Sequence, residues 1–255
     1  MVKKNGVYFM FGSHLTGWVS ASFFCRASKR LIFFKDPNDN VYSTAKSISG
    51  PWTSWKSFAD SGSKTYNSQT NFILPVGDSV IYMGDRWISS NLHRSTYMWL
   101  PLTISGTTAS MKNPATWVVD VAAGTLASGP SETSYEGEDA QLSGGAKLVS
   151  CDGCSGKKAA GYIGGTDSGA VTFSNISSAT ATRTTIRIRY VNGDKNDRYV
   201  KISVNGGPDE VIAFLSTDIS SSSFHANLKA GMNTIKISGN GSGWGPDIDR
   251  LLVPK

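Results

Sequence analysis

Charged side chains are scarce in this sequence. Asp, Glu, Lys and Arg make up 17% of its 255 residues, whereas about 25% is usual for a globular protein. Its surface must therefore be hydrated largely by Ser, Thr, Asn and the backbone of 27 glycines. This composition favours an extracellular β-protein.

Long apolar runs are also missing. No stretch approaches the roughly 20 apolar residues that span a bilayer, which excludes a membrane protein. The opening residues MVKKNGVYFM lack the apolar stretch of roughly 7 to 15 residues found in a signal peptide, so secretion is not visibly encoded. At roughly 100 to 200 residues per domain, the length allows one large domain or two modest ones.

Concentrated positive charge is limited to one place. The formal net charge is +6 and the isoelectric point is about 9.2, but one short stretch supplies four of these charges, from Arg26, Lys29, Arg30 and Lys35. Nucleic-acid binding needs basic residues gathered over one face. The rest of the chain has an ordinary charge balance, so no nucleic-acid partner is expected.

Cysteine and histidine are few, with three residues of each type. Cys151 and Cys154 lie in a glycine-rich segment, SCDGCSG, which suits a small disulfide and an oxidising compartment. A zinc site would need a second pair, and only Cys25 remains. His14 and His93 have no carboxylate at a fitting spacing, so we expect them to be structural.

Alternating apolar and polar residues, interrupted by turn signals, dominate the rest of the pattern. No segment of ten residues shows a 3.6-residue period, so the fold is predicted to be nearly all β. Short strands punctuated by aromatic residues over residues 1–121 suggest two to three blades of a β-propeller. Residues 122–134 are small and polar and predict a linker. Strands of about five to seven residues at steady spacing over 135–255 predict an antiparallel β-sandwich.

Both halves resemble known families. The segments SYEGEDAQLSGGA, GYIGG, RIRYVNG, VKISVNGG and GWGPDIDRLLV resemble a family 35 carbohydrate-binding module, a jelly-roll β-sandwich with a structural calcium. The segments GVYFMFGSHLTGW, YSTAKSISGPW, YNSQTNFILP, YMGDRW and YMWLPL resemble the last blades of the five-bladed propeller of glycoside hydrolase family 43. Their pairing resembles the fungal exo-acting galactan 1,3-β-galactosidases.

The resemblance implies a secreted, monomeric parent that hydrolyses the β-1,3-galactan main chain of arabinogalactan. It also implies that the general-acid glutamate lies upstream of Met1, so that this chain by itself binds galactan without cleaving it. A third interpretation is a structural cell-wall protein without sugar specificity.

The same resemblance assigns roles to residues of the first half. Gln69 of the SQTN segment matches the position of the catalytic base, although an amide cannot accept a proton at neutral pH. Thr16, Trp18, Arg86 and Trp87 are candidates for substrate binding at the propeller mouth, since aromatic faces and fixed Arg donors suit sugars. Alternatively, the amide serves a blade hairpin and the tryptophans pack between blades.

One segment departs from the resemblance. Residues 19–35 stand between GSHLTGW and DPNDN, which are adjacent in the family, and they contain Cys25 and the basic stretch. Because the 17 codons begin with Val and end with Lys, compatible with GT and AG borders, we interpret them as a retained intron. The alternative is a genuine basic insertion loop. The sequence of the spliced transcript decides between them.

Three acidic residues of the second half are candidate metal ligands. Glu136 and Glu138 alternate, which places both carboxylates on one face of the first strand, and Asp249 joins them if the first and last strands pair. Such an oxygen-only set suits Ca²⁺, which takes six to eight oxygen ligands. Alternatively, these acids are solvated at a sheet edge.

Sugar binding in the second half is predicted for loops. Tyr162 and Trp244 are aromatic residues surrounded by glycines, where little can pack over them, and they suit a stacking platform for galactose. Asp247 is a candidate hydrogen-bond acceptor for sugar hydroxyls, and Asn192 is a weaker one. Alternatively, the two aromatic rings fold back onto the core.

Overall fold

The structure, a computed structural model, describes residues 1–13, 39–88, 92 and 95–255. It divides into two compact units, Met1–Gly129 and Pro130–Lys255. Both are built almost entirely from β-strands, which confirms the prediction of a nearly all-β fold. Among the described residues, no helix is long and apolar enough to span a membrane.

The first unit contains two four-stranded antiparallel sheets and a hairpin. The first sheet consists of β1 (Val2–Lys4), β2 (Val7–Gly12), β3 (Val41–Ala45) and β4 (Lys56–Ser57). The second consists of β5 (Gln69–Val76), β6 (Ser79–Arg86), β7 (Thr96–Ser105) and β8 (Thr108–Met111). The hairpin is β9 (Trp117–Asp120) and β10 (Thr125–Ser128).

Apolar side chains from both sheets of the first unit share one core. Phe9 and Tyr42 come from the first sheet, and Ile73, Tyr82 and Leu100 come from the second. In β7 the buried Leu100 and Leu102 are separated by a more exposed residue, as the two-residue period of a strand requires, whereas three successive residues of β6, Val80 to Tyr82, are buried. The shared core explains why the aromatic punctuation of the sequence falls inside strands.

The second unit is a sandwich of two sheets. Its strands are β11 (Glu132–Glu136), β12 (Gln141–Ser143), β13 (Lys147–Ser150), β14 (Lys158–Gly161), β15 (Ala170–Ser178), β16 (Thr182–Asn192), β17 (Arg198–Val204), β18 (Glu210–Phe214), β19 (Thr217–Leu228), β20 (Gly231–Gly239) and β21 (Asp247–Pro254). Two 3-10 turns, Gly137–Asp139 and Ser155–Lys157, connect some of them.

The two sheets of the sandwich enclose a second core. One sheet runs in the order β13-β14-β21-β16-β19, with β11 also paired to β21, and the other runs β12-β15-β20-β17-β18. In β16, Ile186, Ile188 and Tyr190 are buried while Arg187 and Arg189 face outward. The pairing of β11 with β21 brings the first and last strands of the unit together, as the calcium prediction required.

The predicted linker is wrong for most of its length. Residues 125–128 form β10, which pairs with β9, and residues 132–136 form β11. A side chain at Gly124 is sterically excluded, because its Cβ would lie 2.7 Å from the Cα of Gly77. Gly124 therefore reflects a close backbone approach rather than flexibility, and the boundary between the units falls between Gly129 and Pro130.

Candidate functional site

Tyr162 and Trp244 form an exposed aromatic pair on the sandwich. Their side chains are 46% and 45% exposed, and their ring centroids lie 5.9 Å apart with an interplanar angle of 87°. Neither ring folds back onto the core, so that alternative is wrong. Two half-exposed rings in edge-to-face contact offer an apolar surface of the kind that sugars stack on.

Glycine-rich loops shape this aromatic pair. Gly164 forms an isolated bridge with Trp244, and the N–H of Gly165 donates to the carbonyl of Gly243 at 3.1 Å. A Cβ on Gly165 would overlap the Trp244 ring. The absence of a side chain at Gly165 therefore lets the Trp244 indole pack directly against the backbone.

Two charged side chains flank the aromatic pair. Lys147 places its Nζ 4.0 Å from the centre of the Tyr162 ring, a cation–π contact that fixes the ring. Asp247 lies beside Gly161, where a Cβ would be 2.8 Å from its Oδ1. Burial raises the pKa of the Asp247 carboxyl, and the positive charge of Arg198 opposes that shift. The carboxylate of Asp247 thus lies beside Gly161, the residue that precedes Tyr162.

Asn192 does not join this cluster. Its side chain is fully buried, and its Nδ2 donates to the carbonyls of Asn196 and Phe214, each at 3.0 Å. Its Oδ1 accepts from the N–H of Asp194 at 3.2 Å. These bonds hold the turn after β16, so the side chain has no free face for a sugar.

Two of the three predicted calcium ligands lie on paired strands, Glu136 on β11 and Asp249 on β21. One edge of β21 pairs with β11 as far as Glu136 opposite Arg250, and then with β14 at Ile248. On the other edge, the register with β16 shifts so that Asp249 has no partner. This bulge re-aims its side chain, which is completely buried.

The acidic residues carry oxygen atoms without hydrogen-bond partners. These buried atoms are Oε2 of Glu136, Oε2 of Glu138 and Oδ2 of Asp249. Arg189 and Arg250 approach Asp249 Oδ2 to 3.7 and 3.8 Å, and Arg250 approaches Glu136 Oε1 to 3.6 Å. Burial raises the pKa of Asp249, while the N–H of Ser155 and the nearby arginines lower it.

The arrangement of these acids corrects two sequence expectations. Glu138 lies in the 3-10 turn Gly137–Asp139 rather than on the first strand, so strand alternation is the wrong reason for its proximity to Glu136. The alternative of acids solvated at a sheet edge is wrong for Asp249, which is buried. Among the described residues, no three His, Cys, Asp or Glu side chains lie close enough together to hold a metal ion.

Gln69 begins β5 in the first unit. Its Nε2 donates to Ser13 Oγ at 2.9 Å, and it lies directly opposite Asp85 on β6. The Oδ2 of Asp85 accepts from Asn71 Nδ2 at 2.8 Å. An amide and a carboxylate therefore share one face of the hairpin.

A strained turn leads into Gln69. The four residues Lys64–Asn67 have φ between 51° and 57°, a left-handed conformation that costs non-glycine residues energy. Buried Asn40 holds this turn, because its N–H donates to Thr65 Oγ1 at 2.7 Å and its Nδ2 donates to the Ser68 carbonyl at 2.8 Å. Such strain persists only where the surroundings over-determine it.

The remaining candidates of the first unit divide into two groups. Arg86 donates from Nε and Nη2 to the carbonyl of Tyr66, at 3.1 and 2.6 Å, so it supports the left-handed turn. Trp87 is exposed and follows directly after β6. Some predictions concern residues outside the described part of the chain, namely His14, Thr16, Trp18, residues 19–35 with Cys25, and His93.

Sequence reasoning missed several residues around these sites. Lys147, Arg189 and Arg250 were not singled out, and their contacts depend on strand pairing that single-residue patterns do not reveal. Cys151 and Cys154 form a disulfide, but nothing in the SCDGCSG segment indicates that it lies beside Asp249, about a hundred residues later in the chain. Asn40 carries no local signal at all.

The chain is similar to solved structures of an exo-β-1,3-galactanase and of family 35 carbohydrate-binding modules. No family model and no curated protein sequence matches the chain.

The exo-β-1,3-galactanase from Phanerochaete chrysosporium is 36% identical and is aligned over 99% of this chain and 55% of its own. The TM-score is 0.62 for a variant with β-1,3-galactotriose and 0.63 for the structure with galactose. The chain thus spans about half the length of that enzyme. A family 35 carbohydrate-binding module from Clostridium thermocellum is 29% identical over 48% of this chain and 98% of its own, with a TM-score of 0.45.

Replacing Asn40 with alanine is expected to destabilise the first unit by about 2–4 kcal/mol, because buried backbone groups of the left-handed turn lose their partners. The measurement is the free energy of unfolding in urea. Asn71→Ala is the matched control, since this exposed amide contacts only Asp85 among the described hydrogen bonds, and a change below about 0.5 kcal/mol is expected. If both variants lost the same free energy of unfolding, the role of Asn40 in holding the left-handed turn would be contradicted.

Proposed function

We propose that this chain is a galactanase-type protein that binds β-1,3-galactan through the sandwich. The observation that carries the proposal is the exposed pair of Tyr162 and Trp244 with Asp247 beside it. The chain that bears this cluster is 36% identical, over 99% of its length, to an enzyme crystallised with β-1,3-galactotriose. The cluster is assigned to the carbohydrate rather than to a protein partner.

The chemistry of the cluster fits a sugar. The apolar faces of galactose rings pack against aromatic rings, and the exposed parts of Tyr162 and Trp244 supply this surface. Asp247 accepts hydrogen bonds from hydroxyl groups when it is ionised. Because burial raises its pKa, acidification weakens this acceptor at a higher pH than it would for a solvent-exposed aspartate.

The first unit is proposed to be the partial propeller, with its two four-stranded sheets as blades. Gln69 and Asp85 supply one amide and one carboxylate on one face. Glycoside cleavage commonly needs two carboxyl groups, one of them as general acid. Binding without cleavage is therefore the better-supported activity of this chain, and hydrolysis of β-1,3-galactan is the second candidate.

Calcium is proposed as a structural ion of the sandwich, where it suits the parent's secreted, extracellular setting. Three buried carboxylate oxygens lack hydrogen-bond partners, and the donor set of Glu136, Glu138 and Asp249 contains only oxygen, which Ca²⁺ prefers. The cation would offset negative charge at the end of β11. Arg189 and Arg250 already offset part of this negative charge, so the ion would offset only the remainder.

In a calorimetric titration, the chain is expected to bind β-1,3-galactotriose, and Trp244→Ala is expected to weaken binding about tenfold or more. That factor corresponds to roughly 1.4 kcal/mol, within the range for one stacked aromatic ring. Trp99→Ala is the matched control, because Trp99 is 47% exposed but belongs to the first unit. Its replacement is expected to leave the affinity unchanged.

Three outcomes of the same samples decide between the interpretations. Flat titrations with all galactose oligomers would favour a cell-wall protein without sugar specificity. Binding without release of galactose from β-1,3-galactan supports the proposal. Release at the rate of the full-length galactanase would make hydrolysis the activity of this chain.

Removal of calcium is expected to lower the unfolding temperature of the second unit by on the order of 5–10 °C, if the ion was present at about a hundred times its Kd. Differential scanning calorimetry with and without a chelator measures this shift. Asp249→Asn should abolish the shift, and Asp139→Asn, an exposed acid of the neighbouring 3-10 turn, should keep it. An unfolding temperature unaffected by the chelator would refute the calcium site.

A further inference from the structure

The disulfide loop between β13 and β14 lies directly on the acidic cluster. The backbone N–H of Ser155 donates to Asp249 Oδ1 at 2.9 Å, across 94 residues of sequence. This bond uses one oxygen of the buried carboxylate and leaves the other, Oδ2, without a hydrogen-bond partner. The loop therefore fixes the direction in which the free oxygen of Asp249 points.

Gly156 of the same loop faces a second acid. A Cβ on Gly156 would overlap Oε1 of Glu138, so only glycine leaves room for this carboxylate. The residue also has φ of 59°, which glycine adopts without strain. One loop thus contacts Asp249 through a hydrogen bond and Glu138 through van der Waals packing.

The disulfide holds this loop in shape. Cys151 and Cys154 are bonded to each other, and the N–H of Cys154 donates to the carbonyl of Cys151 at 3.1 Å. The N–H of Cys151 also donates to the carbonyl of Lys157 at 2.9 Å. Without the covalent link, this turn would depend on backbone hydrogen bonds within the loop and on the bond from Ser155 to Asp249, between flanking strands of four residues each.

We propose that the Cys151–Cys154 loop is a positioning element of the cation site, so that the disulfide and the bound cation stabilise each other. The inference rests on the calcium site proposed above. Ser155 orients Asp249, and Gly156 admits Glu138 to the cluster. Because coupling between two binding events is reciprocal, loss of the disulfide weakens cation binding, and the cation protects the disulfide from reduction by the same factor.

Reduction of this disulfide has a simple balance. A dithiol of the dithiothreitol class supplies two electrons and two protons, the S–S bond breaks, and Cys151 and Cys154 each become a thiol. The reagent itself is oxidised to a cyclic disulfide. A thiol titration of the protein counts the two thiols gained.

The decisive experiment measures Ca²⁺ affinity by calorimetry for the unmodified chain and three variants. Cys151→Ser/Cys154→Ser and Gly156→Ala are each expected to weaken Ca²⁺ binding about 10- to 100-fold, the usual effect of losing a residue that orients metal ligands. Gly206→Ala is the matched control. Gly206 also has a positive φ, 71°, but a Cβ there meets nothing within 4 Å, so the same backbone strain arises far from any ligand.

A second measurement uses the unmodified chain alone and does not depend on the folding of a variant. The fraction of reduced protein is followed in dithiothreitol buffers of fixed redox ratio, with Ca²⁺ and with a chelator. Saturating Ca²⁺ is expected to shift the equilibrium toward the disulfide by the same factor as the loss of affinity in the cysteine variant.

The outcomes separate this inference from the calcium proposal. If the unmodified chain does not bind Ca²⁺, the calcium proposal and the positioning role of the loop are both refuted. If it binds Ca²⁺ and the cysteine and Gly156 variants bind equally well, the cation site stands and the positioning role of the loop is refuted. A loss in Gly206→Ala equal to that in Gly156→Ala would also refute it, because strain rather than contact with Glu138 would then explain the effect.

Discussion

The burial of the Asp249 carboxylate constrains the edge of the sandwich where β11, β14 and β21 meet. Removing an ionised carboxylate from water costs several kcal/mol unless charges and hydrogen bonds replace the water. Here the replacement is partial, with one N–H bond from Ser155 and two guanidinium groups at 3.7 and 3.8 Å. The raised pKa of Asp249 expresses the remaining cost. The neighbouring elements are therefore best understood as groups that offset a buried negative charge.

The bulge in β21 makes this burial geometrically feasible. In a regular strand Asp249 and Arg250 would point to opposite faces. Ile248 would then share the face of Arg250, away from the core. Because the register with β16 skips Asp249, Ile248 packs in the core with Leu251, and Asp249 approaches Arg189 and Arg250.

The sequence predicted the fold class and the exposed aromatic pair because both are local properties. Alternation within each strand gives the β-structure, and glycines around Tyr162 and Trp244 leave their rings uncovered. The pairing of the first and last strands, on which the calcium prediction depended, is present, although Glu138 lies in a 3-10 turn rather than on the first strand. The linker prediction failed because Gly124 serves a close contact with Gly77, and composition cannot distinguish packing from flexibility.

Individual hydrogen bonds between distant segments could not be predicted from the sequence. Asn40 clamps a turn that begins about 25 residues later, and Ser155 contacts Asp249 across 94 residues. Neither residue type is unusual where it stands, so only the pairing of strands reveals the role. The same holds for Asn192, a weaker candidate in the sequence, whose amide donates to two backbone carbonyls.

The residues proposed to bind sugar and those proposed to bind calcium meet on β21, so binding and stability are expected to be linked. Asp247 and Asp249 are separated by a single residue of β21, the fully buried Ile248, and Ile248 pairs with Ala160 of β14, two residues before Tyr162. Any force that fixes Asp249 also fixes Ile248 and hence the start of the aromatic loop. Because a stacking surface gains affinity when it is ordered before the ligand arrives, an ion at the acidic cluster would serve sugar binding without touching the sugar.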